Sequence, residues 1–321
     1  MSTQKVSVVD ESRRPSFTIV MLAWPVFIEQ ILVSLVSYVD TAMVGSMGAN
    51  ATAAVSISNS PNMLVNGTIM AVGVGFTAMI SRSIGAEDLQ RAKDLMRQAL
   101  LVVVALGLPL MCLLLLLAEK IPLWMGAQAE ILPDAAVYNR IIAASLIFRT
   151  MSMIITSIMR GYGDTKTPMF VNIGVNIVNV IGNFLLIYPT RTISLFGMEF
   201  TMIGAGWGVA GAAAATSGSA TIGALIMLAV LFLKKGPMQL SIKGEYMPDW
   251  AILKTVFRIS LPAAFERIAM SSAGIITTST VATLGTVAVA ANSLYLTAES
   301  MCFMPGFAFS TAATTLVGQS L

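Results

Sequence analysis

Glu29, Asp40, Arg149, Glu266, Arg267 and Glu299 all stand inside long apolar runs of the sequence. Charges so placed are costly, and they mark sites of function until shown otherwise. Two kinds of chemistry suit the carboxylates. Removed from water, a carboxylate disfavours its ionised form and so takes up and releases a proton near neutral pH. Kept ionised, it binds sodium through oxygen ligands. The sequence has no histidine, which removes the commonest general base and the commonest metal ligand. Its two cysteines, Cys112 and Cys302, lie far apart in apolar runs and are expected to be buried free thiols rather than a disulfide or zinc site. A membrane-embedded enzyme would be left with a carboxyl pair, and no spacing of acids supports one. No cofactor is expected beyond a proton or sodium ion.

Asp40 is the sharpest candidate, in an apolar stretch near the outer end of its segment and some ten residues past Glu29. The competing reading is an aspartate that caps or pairs near the interface. Pro25 precedes Glu29 by one helical turn and removes a backbone hydrogen bond, which permits a kink, either moving or static. Asn172, Asn176, Asn179 and Asn183 are spaced by four, three and four residues, which puts them on one helix face. Four amides facing lipid would be costly, so the stripe must face protein or a water-filled cavity. Asn179 and Asn183 are read as holding Asp40 and an ion; hydrogen bonding that only packs the helices is the alternative. Glu29 and Glu266 each follow a proline by one turn, which favours a shared structural task such as satisfying backbone groups freed by a kink. Glu299 is either the partner of a cation or a substrate-attracting carboxylate, and Arg149 is expected to pair with one of these acids. Met63, Met70, Met301 and Met304 belong to a set of 22 methionines, mostly packing, whose polarisable side chains suit varied apolar ligands.

Of 321 residues, 56% are hydrophobic and 11% charged, whereas a soluble domain carries about 25% charged residues. Lipid must therefore cover much of the protein, and a net charge of +3 implies no nucleic acid. A helix needs about 20 mainly apolar residues to cross a bilayer. Eight segments qualify, at 17–45, 52–81, 98–118, 134–159, 168–188, 205–233, 252–283 and 287–318. Runs such as Leu100 to Leu117 lack the alternation of a β-barrel. The expected fold is all-α and polytopic. The first segment is too long for the core of a signal peptide and lacks a small-residue cleavage site. Lysine and arginine then set orientation. With the N-terminus in the cytoplasm, inside segments hold residues such as Arg13, Arg82, Arg91, Arg97, Lys166, Lys234 and Lys254, and outside loops hold Lys120 and Arg191.

The chain repeats itself. Placing Pro25 on Pro262 brings Glu29 onto Glu266, Ser34 onto Ser271, Gly48 onto Gly285, Thr77 onto Thr314 and Ser83 onto Ser320, with about 14 of some 60 positions identical. Both repeats begin on the same membrane side, so their axis lies along the membrane normal. The second stops at Leu321, where the first has reached Ile84. Residues 1–235 are therefore expected to form one lobe of six spans, and residues 236–321 the first two spans of a second, and the chain is expected not to transport by itself.

Several stretches together resemble the multidrug and toxic compound extrusion (MATE) family, particularly its bacterial DinF-like branch. They are Trp24-Pro25 with Val39-Asp40-Thr41-Ala42-Met43-Val44-Gly45, then Ser83-Ile84-Gly85-Ala86, then Arg160-Gly161-Tyr162-Gly163-Asp164-Thr165-Lys166-Thr167-Pro168, then Gly208-Val209-Ala210-Gly211, and finally Glu299-Ser300 through Pro305-Gly306 to Gly318-Gln319. Their order and spacing cover nearly the whole chain. The resemblance implies two six-helix lobes around a central cavity, and export of organic, often cationic compounds against proton or sodium entry across the inner membrane, by a monomer when complete. It implies that Asp40 couples ion entry, that Pro25 is the family's helix proline, and that Asn179 and Asn183 are polar positions of the cation site. Some relatives carry aspartate where Asn183 stands, which leaves the coupling ion open. Others have a glutamate where this chain has Met270, so a site in the second lobe is poorly supported. A flippase for lipid-linked precursors is the alternative, but such proteins line their cavities with several cations, and here only Arg149 and Arg267 lie well inside helices.

Single cysteines near Glu87 and Lys243 are expected to react with an impermeant thiol reagent only from the cytoplasmic side, and those near Ala127 and Phe196 only from outside. External labelling near Lys243 would overturn the count of spans.

Overall fold

A computed structural model of the chain describes residues 14–195, 198–236, 239–241, 246–282 and 286–321. Its helices are α1 (Pro15–Gly45), α2 (Ala49–Gly85), α3 (Leu89–Leu117), α4 (Lys120–Trp124), α5 (Leu132–Ala144), α6 (Leu146–Tyr162), α7 (Lys166–Ile187), α8 (Gly208–Leu233), α9 (Trp250–Ala282) and α10 (Thr286–Ser320). Strands β1 (Pro189–Leu195) and β2 (Met198–Ala205) pair antiparallel between α7 and α8. Local chemistry sets several boundaries. Pro15 opens α1, where its missing N–H costs nothing. Asp88 caps α3 by accepting the Arg91 N–H at 2.9 Å. Gly163 ends α6 in the left-handed conformation, φ 96°. Asp164 then accepts the backbone N–H of Thr167 at 3.0 Å and its hydroxyl at 2.6 Å, and Lys234 Nζ lies 2.7 Å away. Burial alone would raise the Asp164 carboxyl, but the hydrogen bonds from Lys234 and Thr167 outweigh it and hold the group below the usual carboxylate range.

Among the described residues, six helices are long and apolar enough to cross a membrane, and α5 with α6 supply a seventh as one bent span. The expected straight span at 134–159 is thus two helices meeting at 48°. Ser145 sits at the break, its hydroxyl 2.9 Å from the Ile142 carbonyl and 3.1 Å from the Ser217 hydroxyl. A side chain that competes for the backbone ladder is a recognised cause of bending. The eighth expected span, α9, is long enough at 33 residues, but Glu266, Arg267 and a Ser/Thr-rich second half dilute its apolar run. The hairpin was not foreseen, although its Thr- and Ile-bearing sequence favours strand. The loop at Lys243 lies outside the described residues.

The core gathers between α2, α3 and α6, where Phe76 and Ile80 pack with Leu95, Met96, Ile154 and Ile158. Leu116 and Val104 of α3 face outward, as lipid-facing residues must. Cys112 and Cys302 are free as expected, but both are exposed rather than buried. An apolar run in a membrane protein has two destinations, core or lipid, and composition does not choose between them.

The repeat is written into the packing. An offset of 237 carries residues 15–45 of α1 onto 252–282 of α9, and residues 49–83 of α2 onto 286–320 of α10. Helix α1 packs on α10 and α2 on α9, and exchanging the two repeats maps one contact onto the other. Ser81 and Gly318, equivalent by the repeat, meet each other, so α2 and α10 cross at the pseudo-axis. Leu22, Ala23 and Val26 of α1 cluster with Ala308 and Ala312 of α10, and Gly75 of α2 approaches Val256 and Ser260 of α9. All these contacts fall in the first halves of α1 and α9 and the second halves of α2 and α10, at the end that carries Arg14, Arg82 and Lys254.

Helices α7 and α8 approach closely where Gly211 faces the backbone of Leu186 and Ile187. A methyl group there forces the backbones apart, so Gly211→Ala is expected to lower stability by about 1–3 kcal/mol. Gly174→Ala on α7, whose new carbon would meet nothing within 4 Å, should be neutral or better. Thermal unfolding of the two variants in detergent checks this; equal stability would mean the helices are less tightly apposed.

Candidate functional site

Glu29 and Asp40 are eleven residues apart on α1, about three helical turns, so both face the same way. Asn172 and Asn183 are also eleven residues apart, on α7, which begins at the same end of the bundle. The two rows join rung to rung. Asn172 Nδ2 donates to Glu29 Oε1 at 2.8 Å, and Asn183 Nδ2 to Asp40 Oδ1 at 2.5 Å, both across 143 residues of sequence. Asn183 Nδ2 also lies 3.2 Å from Asn179 Oδ1, and Asn179 Nδ2 donates to Thr216 Oγ1 of α8 at 3.3 Å. Asn179 and Asn183 are buried and Asp40 is half-buried.

The rows border a cavity of about 630 Å³ that Tyr138, Arg149, Asn176 and Phe307 also line. At its floor Arg160 Nη2 meets Glu29 Oε2 at 2.8 Å, with both side chains largely buried. The floor is held from outside as well. Thr315 of α10 donates its hydroxyl to the Arg160 carbonyl at 2.9 Å, and Gln319 Nε2 donates to the Gly161 carbonyl at 3.1 Å. Around the cavity Asn66 Oδ1, Arg160 Nε, Asn176 Nδ2 and, at the Asp40 end, Asn183 Oδ1 are buried without a partner. Asp40, Asn183 Oδ1, Asn179 Oδ1 and Thr216 thus bring oxygens together that accept a proton at the carboxylate or ligate a hard cation. Among the described residues no three His, Cys, Asp or Glu side chains gather as a metal site.

Residues 25–185 and 262–321, more than half the chain, match the family model described as MatE. The chain belongs to the MatE family. It is 30% identical over 301 residues to the "Probable multidrug resistance protein NorM" of Thermotoga maritima, covering 94% of this chain and 62% of the other. It is 28% identical over 304 residues to the "Uncharacterized transporter YisQ" of Bacillus subtilis, covering 95% and 64%. The chain thus spans less than two thirds of the length of these relatives. A crystal structure of MATE in complex with MaD3S superposes over 100% of this chain and 68% of the other, with a TM-score of 0.88 and 25% identity.

In this MatE chain the expected site residues divide. Asp40, Asn179, Asn183, Asn176 and Glu29 come together around one cavity. Glu266 is exposed and Glu299 accepts a hydrogen bond from the Tyr295 hydroxyl at 3.1 Å; neither lines the cavity. Pro25 is buried within α1, which continues through it without a break. Glu29 does have a structural task, but it pairs with Arg160 and Asn172 rather than serving freed backbone groups. Arg149, expected to pair with an acid, has no ion pair among the described residues. Sequence reasoning missed Tyr138 and Thr216, which carry no signal beyond being polar residues in apolar helices. It left Arg160 in a loop, although the turn glycine Gly163 already marks the helix end beyond it.

Removing one partner of a buried pair leaves the other charge uncompensated, at a cost of about 3–5 kcal/mol. Glu29→Gln is expected to destabilise the MatE chain by that order, and the double change Glu29→Gln with Arg160→Met to recover most of the loss. Chemical unfolding in detergent measures both; a double variant as unstable as the single one would rule out the pair as the cause.

Proposed function

We propose that the protein acts in secondary antiport, exporting organic, often cationic compounds in exchange for protons or sodium ions. In this reading it crosses the inner membrane many times with its N-terminus in the cytoplasm. Residues 1–235 form one lobe and residues 236–321 begin a second, and the complete protein works as a monomer. The observation that carries the reading is the Asp40–Asn183–Asn179 cluster, a carboxylate and two amides on the wall of a cavity large enough for an organic molecule. The family membership and the name of the Thermotoga maritima relative support the same class of activity.

The chemistry follows from Asp40. Ionised, it attracts a cationic group into the cavity. A proton or sodium ion cancels that charge, so ion and substrate compete for one carboxylate, and a substrate leaves as the ion enters. Asn183 and Asn179 orient the carboxylate and offer amide oxygens to a bound cation. In the orientation proposed, the repeats meet at the cytoplasmic end, which suits a cavity open to the outside. The flippase alternative is less well supported, because Arg160 is committed to Glu29 and, among the described residues that line the cavity, Arg149 is the one other cation that could hold a lipid phosphate.

Asp40→Asn is expected to abolish gradient-driven efflux from cells carrying the whole gene product, without loss of membrane insertion, because the amide keeps the volume and removes the charge. A hydrogen bond to a charged group contributes about 1.5–3 kcal/mol, so Asn183→Ala should weaken export roughly tenfold. Efflux of a fluorescent cation, driven separately by proton and sodium gradients in vesicles, measures both effects. Normal driven export by Asp40→Asn would sink the assignment.

A further inference from the structure

The charges around the cavity do not all remain available to a ligand. Among the described residues four charged side chains line it, two of each sign: Glu29, Asp40, Arg149 and Arg160. Glu29 and Arg160 neutralise each other at 2.8 Å on the floor. What is left among the described residues is one carboxylate, Asp40, and one guanidinium, Arg149, and Tyr138 lines the same cavity. Arg149 lies one turn past the Ser145 break, on a different helix from Asp40, and its guanidinium makes no hydrogen bond or ion pair among the described residues. A guanidinium cannot shed its charge, so inside a membrane-spanning bundle it needs either water or an anion, and its planar fork fits a carboxylate or sulfonate.

We propose that Arg149 is an anion-recognition residue of this cavity, and that the compounds it takes are zwitterions, with the cationic group toward Asp40 and a carboxylate or sulfonate toward Arg149. The inference rests on the antiport reading and narrows its substrate class. A compound with only a cation would leave Arg149 unanswered and would be repelled by it. A compound carrying both charges answers both walls. Asp40 then governs release of the cationic end, while Arg149 sets which molecules enter.

The test uses two dyes that share one xanthene cation: rhodamine 110, which carries a free carboxylate, and rhodamine 123, its methyl ester. Fluorescence polarisation with the purified whole chain in detergent reads binding. The free acid should bind roughly tenfold more tightly than the ester, as for one close charge pair in a cavity. Arg149→Met should bring the acid down to the affinity of the ester and leave the ester unweakened, and Arg149→Lys should keep part of the preference. Unfolding midpoints of the variants check the fold, and where Arg149→Met does not fold, the Lys variant and the preference of the unmodified protein decide. Equal binding of the two dyes to the unmodified protein, or a preference that survives in Arg149→Met, overturns the proposal. Vesicle efflux of both dyes separates the two readings: export without preference removes the role of Arg149 and keeps antiport, and preference without export does the reverse.

Discussion

A carboxylate and a guanidinium taken out of water must find each other, and Glu29 and Arg160 do so across 131 residues of sequence. That pair is the point from which much of the bundle is fixed. Asn172 satisfies the second oxygen of Glu29 and so ties α7 to α1. The carbonyls at the end of α6, on Arg160 and Gly161, accept from Thr315 and Gln319 of α10. Four helices therefore meet at one short segment. Each of these bonds would be costly to leave unmade in a low-dielectric interior, which gives the floor of the cavity its rigidity.

From that anchor the geometry of the far end follows. Helices α1 and α7 start at the same end, and each places a second polar residue eleven positions on. Fixing Glu29 against Asn172 thereby brings Asp40 against Asn183 about three turns away. The two rungs are chemically different. The lower one is closed by the ion pair to Arg160, whereas Asp40 on the upper one is half-buried and has no ion pair among the described residues. A charge-paired rung below and a carboxylate free of an ion pair above is the arrangement that ion binding at Asp40 requires in the antiport we propose, because a change of charge there meets no fixed counter-charge.

The internal repeat reproduces the scaffold and not the chemistry. An offset of 237 carries α1 onto α9 and most of α2 onto α10, and Ser81 meets Gly318 on the pseudo-axis. Yet Asp40 corresponds to Thr277, so the second repeat lacks a carboxylate at that position. Backbone symmetry needs only matched helix lengths and small residues at the crossings. A site needs particular partners, and those partners come from α6, α7 and α8.

Much of this was legible in the sequence. Length and hydropathy located the spans, because crossing a bilayer is a local requirement on about 20 residues. The spacing of the four asparagines fixed their common face, and the proline and glutamate of each repeat fixed its register. What local spacing could not supply was who meets whom. The partner of Glu29, the place of Arg149 on the cavity wall and the break at Ser145 opposite Ser217 all depend on residues far away in sequence. So does the exposure of Cys112 and Cys302, since core and lipid are equally apolar. Periodicity assigns a residue to a face of its own helix; only the packing of one helix on another decides whether that face meets a charge, an amide, a lipid chain or a cavity.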